Sequence, residues 1–174
     1  MKTRIHLPML IAILLIAATP AFSRTIRTDY DHHLDFHQYR TYSWAEVETP
    51  DSLWDDRVKE AIDNVLAAKG WTKVPEGGDV SITVFGTTRN KRTYETFYTG
   101  FGGWRWGGFG TATTDVVVHP VGTLLVDMFD TRTKKLIWRG SASDALSNKP
   151  EKNIKELQKV VEKMFEHFPP QASA

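Results

Sequence analysis

With 174 residues, 22 Lys and Arg against 21 Asp and Glu, the chain is nearly neutral, without the concentrated basic surface that nucleic-acid binding needs. The absence of cysteine excludes disulfides, thiol catalysis, thiolate metal sites and a lipid anchor on an N-terminal cysteine.

Lys2 and Arg4, the apolar run at residues 7–18 and the small-residue stretch 19–23 have the pattern of a secretory signal peptide. The apolar run falls short of the roughly 20 residues that a spanning helix needs. Ala21-x-Ser23 favours cleavage before Arg24, which leaves 151 of the 174 residues and a net charge of about −1 once Lys2 and Arg4 are gone. Export to the periplasm is expected, as a protein with no transmembrane segment, soluble or held by contacts alone.

The remaining length suits one domain, residues 24–170, followed by a frayed tail at 171–174. Residues 25–31 (TIRTDYD) and 39–44 (YRTYSW) read as strands, joined by a loop in which Phe36 anchors into the core. Ser52-x-x-Asp55 resembles a capping box and opens a helix. Its apolar face is Val58, Ala61, Ile62, Val65 and Leu66, and Gly70 is its stop. A short extended piece at 71–74 precedes a turn and then a strand over 80–88. Strand pattern returns over 113–119.

Residues 121–143 read as two strands around the polar turn 130–135, and are expected to form the middle of the sheet. Leu124, Val126 and Met128 share one face, Leu125, Asp127 and Phe129 the other. In the second arm Leu136 and Trp138 are assigned together, opposite Ile137 and Arg139. Apolar residues on both faces predict cover on both sides, at least in part. Asp127 and Arg139 are candidates for a cross-strand ion pair. A last helix starts at Pro150, with Ile154, Leu157, Val160, Val161, Met164, Phe165 and Phe168 as its buried stripe. The expected fold is α+β: a mostly antiparallel or mixed sheet with both helices packed on one face.

Three phrases, YDHHLDFHQYRTYSWAE, DDRVKEAIDNVLAAKGW and GTLLVDMFDTRTKKLIWRGSAS, taken in this order and spacing, resemble the bacterial envelope proteins grouped as domain of unknown function 4136. The resemblance runs from about Thr25 to Pro169. It implies an envelope setting and carries over no activity, cofactor or catalytic residue. Many members are lipoproteins with a lipobox cysteine, which this chain lacks. Members often have Gly where Lys134 stands, so a left-handed backbone there is expected to cost this chain roughly 1 kcal/mol.

The most unusual segment is residues 94–109, YETFYTGFGGWRWGGF, within an insert at about 94–112. Glycines provide no packing for so many rings. A long hairpin tip or a flap is expected, with Tyr98, Phe101, Trp104, Arg105, Trp106 and Phe109 as candidate ligand-binding residues for an envelope glycan, a lipid surface or an envelope protein. A segment folded back onto the core is the plainer alternative. The glycines precede no helix, so they make no phosphate cradle.

His32, His33 and His37, with Asp29, Asp31 and Asp35, are the one metal-like cluster, and their neighbours read as strand and loop. No metal and no cofactor are expected. No Gly-x-Ser-x-Gly elbow is present. Ser141, Ser143, His119, Asp115, Asp127, Asp130 and Asp144 are catalytic candidates only through folding the sequence does not specify. The expected function is a non-catalytic binding or structural module. An accessory subunit pairing through a sheet edge and an envelope glycan hydrolase are the alternatives.

Overall fold

The structure, a computed structural model, describes residues 24–99 and 111–170, with side chains for 24–92, 116, 118 and 120–170. In chain order the elements are β1 (Thr25–Tyr30), a 3-10 turn (Phe36–Gln38), β2 (Thr41–Glu48), α1 (Ser52–Ala68), β3 (Thr72–Lys73), β4 (Val80–Thr99), β5 (Thr111–Asp130), β6 (Leu136–Ala145) and α2 (Pro150–Met164). The strands form one six-stranded mixed sheet in the order β1-β6-β5-β4-β2-β3. The β5–β6 hairpin lies within it as expected. β2 runs parallel to both β3 and β4, a pairing that needs a crossover, and α1 provides it.

Local chemistry sets the helix ends. Asp51, not Ser52, caps α1, its carboxylate accepting from the Leu53 N–H, while Asp55 sits in the first turn. The expected capping box is therefore displaced by one residue at its cap. At the other end Gly70 has φ +81°, the Gly70 N–H bonds Ala67 O and the Trp71 N–H bonds Leu66 O, a Schellman stop. α2 begins with Pro150 in its first turn, where a missing N–H costs nothing. It ends at Met164 rather than running to Phe168, which is still buried from the following turn.

Both helices pack on one face of the sheet. Ile82 of β4, Met128 of β5 and Trp138 of β6 lie side by side there, as do Val84, Val126 and Gly140. Against them come Val58, Ile62 and Leu66 from α1 and Val161 and Met164 from α2. Phe36, Tyr39, Trp71, Trp138, Phe165 and Phe168 form a ring cluster at the end where α2 stops, with centroids 4.7–6.4 Å apart.

Cover on the second face is partial among the described residues, with Asp127 buried there against Arg139. Other side chains there are half-buried, as Leu125 and Phe129 are, or exposed, as Phe85 and Leu136 are. Leu136 also changes sides relative to expectation. A bulge between Met128 and Phe129 sets Phe129 opposite Leu136 and Met128 opposite Trp138, so Ile137 is the extra residue and is buried with Trp138. The period-two reading of this arm holds only from Trp138 onward. Asp127 and Arg139 do face each other, joined by bonds of 2.6 and 2.5 Å, a forked pair of the geometry favoured by guanidinium and carboxylate.

Lys134 has φ +58° in the β5–β6 turn, the left-handed backbone foreseen from the family pattern. A Lys134→Gly variant is expected to gain about 0.5–1 kcal/mol in urea denaturation, by removing the steric cost of a side chain in that region.

Candidate functional site

Two features stand apart from the packed core. One is a β-ribbon, the other a cleft at its base.

The strand expected at 80–88 continues to Thr99, and the strand expected at 113–119 is one with the hairpin arm through Pro120. β4 and β5 are thus 20 residues each, in unbroken register from Val80↔Asp130 to Thr99↔Thr111. The flanking strands stop sooner. β2 leaves β4 after Glu48↔Phe85, and β6 leaves β5 after Val121↔Ala145, with one more bond from the Leu146 N–H to Pro120 O. From Lys91↔His119 to Thr99↔Thr111 the two arms pair only with each other among the described residues. At about 3.4 Å per residue this ribbon extends about 27 Å past its support. Val116 and Val118, half exposed at 52% and 49%, lie on the ribbon face continuous with the helix side of the sheet.

The ribbon carries the candidate segment. Tyr98 is on β4 opposite Ala112, and Thr99 pairs with Thr111 across the segment's ends. Phe101, Trp104, Arg105, Trp106 and Phe109 lie outside the described residues.

The cleft, of about 280 Å³, opens where the first turns of α1 and α2 straddle the sheet next to the ribbon base. Its apolar walls include Trp54 and Val58 of α1, Leu157 and Val160 of α2, Leu124 of β5 and Leu146. Gly86 and Gly122 widen the floor: a Cβ at Gly86 would lie 3.0 Å from Thr49 Cγ2, and one at Gly122 3.0 Å from Leu146 Cδ2. Its polar lining includes the carboxylates of Asp51, Asp144 and Glu156, and no basic side chain. Arg24 bridges Asp144, at 2.8 Å, and Glu156. Glu156 is held below the usual carboxylate range by Lys159 and Arg24. Arg57 stacks on the Trp54 ring, 5.1 Å from its centroid. Nothing in the sequence marked this cleft, because its walls come from positions 49–58, 86–88, 122–124, 142–146 and 153–160, which only the fold gathers.

The other candidates are accounted for by structural bonds. The Asp31 and Asp35 carboxylates accept from the backbone N–H groups of His33 and His37, as in Asx turns. Among the described residues no group of three His, Asp or Glu side chains is placed to hold a metal ion. Asp127 is paired with Arg139, Asp144 with Arg24, and Ser143 Oγ lies 2.9 Å from Thr123 Oγ1. Ser141 faces the uncovered side beside Leu125. The side chains of Asp115 and His119 are outside those described. Asp130 and Asp63 each anchor several donors. Asp130 takes the Tyr39 hydroxyl and the N–H groups of Arg132 and Thr133. Asp63 takes the Tyr42 hydroxyl, Trp44 Nε1 and Lys73 Nζ. Beside these anions, Tyr39 and Tyr42 titrate above the ordinary phenol range, with burial the first cause and the carboxylate bond the second.

No helix among the described residues is long and apolar enough to cross a membrane. No curated protein matches the chain. Solved structures share its fold. A PDZ domain protein from Parabacteroides distasonis is 14% identical with a TM-score of 0.59, the match covering 86% of this chain and 37% of that one. This chain therefore spans little more than a third of that protein's length. PelC from Paraburkholderia phytofirmans, solved as a dodecamer, is 14% identical with a TM-score of 0.51, over 87% of this chain and 100% of that one. At such identities the likeness concerns the fold alone. Sequence speaks more directly: from β1 to the turn that ends α2, residues 26–170 match one family model, and the chain belongs to the family described as a domain of unknown function, DUF4136.

Proposed function

We propose that this chain is a non-catalytic binding module of the bacterial cell envelope, exported to the periplasm, that makes contact through the end of its β4–β5 ribbon. The partner class is an envelope glycan, a lipid surface or an envelope protein. The carrying observation is the ribbon itself, whose two arms run nine pairs with no flanking strand among the described residues. A two-stranded ribbon is marginal in water, so its length is better explained by an outside contact than by service to its own core. The segment between Thr99 and Thr111 is rich in tryptophan and phenylalanine and carries Arg105, residue types that anchor interfaces. The engagement of Asp127 and Asp144 by arginines supports the non-catalytic reading.

The test is co-sedimentation of residues 24–174 with the isolated envelope fraction, and in parallel with peptidoglycan and lipid vesicles. The wild-type chain is expected to pellet with envelopes, and Trp104→Ala/Trp106→Ala to remain in the supernatant with an unchanged circular dichroism spectrum. Equal behaviour of the two forms overturns the reading.

An accessory subunit pairing through a sheet edge is the second reading. The outer edge of β1 and both edges of the ribbon favour it, since unpaired strand edges accept a further strand. That PelC, which shares the fold, is solved as a dodecamer is in keeping with this second reading. A proline in the ribbon edge would abolish such pairing, whereas loss of the two tryptophans would spare it.

A further inference from the structure

The ribbon reading leaves the cleft between α1 and α2 unused, and the cleft is mostly apolar. Its volume of about 280 Å³ lies at the small end of ligand pockets, which run to about 1,000 Å³. That is room for one or two inserted side chains rather than a glycan segment or a lipid. The walls are aliphatic and aromatic, as in pockets that take an anchor residue at an interface.

The rim sets the sign of the occupant. Asp51, Asp144 and Glu156 line the cleft with no basic side chain among the lining residues; Arg24, shared by Asp144 and Glu156, and Lys159, on Glu156, offset two of the three charges and leave the rim acidic by one. A phosphate headgroup is repelled there; a cation beside an apolar anchor is attracted. The chain itself carries such a group. Between Glu95 and Asp115 its one charged residue is Arg105, set between Trp104 and Trp106.

That segment cannot be supplied by the same copy. Thr88 lines the cleft and Thr99 ends the described arm, eleven residues or about 37 Å further along an extended strand. Arg105 is six residues from both Thr99 and Thr111, a reach of about 21 Å at full extension. We propose that the α1–α2 cleft receives the Trp104-Arg105-Trp106 segment of a second copy of this chain. This rests on the reading of the ribbon end as the contact surface and names its partner. The contact is head-to-tail, one copy's segment in the next copy's cleft, so it propagates into a ring or a filament rather than closing as a two-fold dimer.

Sedimentation velocity of residues 24–174 over a concentration series tests this with two variants. Trp104→Ala/Trp106→Ala removes the inserted rings. Thr88→Trp plugs the cleft from an exposed strand position where tryptophan is well tolerated. Wild type is expected to associate, and less strongly at about 0.5 M salt because of the Arg105–carboxylate attraction. Each variant alone is expected to be weakened by at least about tenfold. Mixed in equal amounts the two variants are expected to give dimers and nothing larger, since one retains the cleft and the other retains the segment. A Thr88→Trp chain that associates like wild type, while the double variant is monomeric, overturns the cleft and leaves the ribbon reading standing. If both variants associate like wild type, both readings fall. A wild-type chain that is monomeric throughout, or a mixture that yields no dimer, overturns the cleft proposal.

Discussion

Replacing Phe165 with alanine is expected to lower folding stability by about 3–5 kcal/mol, the range for truncating a large aromatic side chain in a core. Phe165 is fully buried at 0% exposure, just past the end of α2. Its ring lies 4.7 Å from Trp138 on β6 and 5.4 Å from Phe168. It therefore joins the helix to the sheet and to the closing turn at once, and the surrounding rings are too large to collapse into the space left behind. The loss reads out as a lower urea midpoint with circular dichroism showing one cooperative transition. Because α2 also forms one wall of the cleft, the same variant is expected to weaken any occupant of it. A cost under about 1 kcal/mol would mean that the ring cluster is not the link between α2 and the sheet.

The second large effect is electrostatic. The Asp130 carboxyl is held down to about 2, chiefly by the Thr133 N–H, with the Tyr39 hydroxyl and the Arg132 N–H adding to it against the cost of burial. A carboxyl depressed from 3.8 contributes stability that is fully present above its unfolded value and is lost as pH falls from about 4 through about 2. A shift of this size corresponds to about 2 kcal/mol. Asp130→Asn is expected to lose that amount near neutral pH, since the amide keeps one uncharged acceptor oxygen where the carboxylate accepts on both. The gap between wild type and variant should shrink towards zero by about pH 2, a convergence readable from urea midpoints. Parallel curves at all pH values would rule out the charge as the source of the effect.

Much of the fold was legible in the sequence because the signals there are local. The spacing of Val58, Ala61, Ile62, Val65 and Leu66, with Gly70 after it, identifies α1, and Pro150 marks the start of α2. Alternation within 124–128 gave the faces of β5, and the Asp127–Arg139 register followed. What escaped was set by distant partners. The bulge that turns Leu136 to the uncovered face depends on how β6 meets β5, and a bulge leaves no signature in either strand alone. The full length of β4 and β5 was hidden by Pro120 and by Arg89–Arg92, residues that suit an exposed ribbon and not a half-buried strand. The cleft was invisible for the same reason, being made of segments that sequence distance separates. The aromatic residues proposed for contact were conspicuous from composition alone, and Tyr98 is the one on a described strand.

The position of β1 bears on how the chain reaches this state. Thr25–Tyr30 pairs only with β6 among the described residues, Thr25 lying opposite Ser143 and Tyr30 opposite Trp138. Arg24 is likewise tied to Asp144, 120 positions downstream. Synthesis delivers the N-terminal end first, yet its partner strand is made only when most of the chain already exists. Closing so long a loop is expected late in folding, after the β4–β5 and β5–β6 hairpins, whose contacts are closer in sequence. The outer edge of β6 is then expected to stay open until the end, a window in which a strand from elsewhere would compete with β1 for the same place.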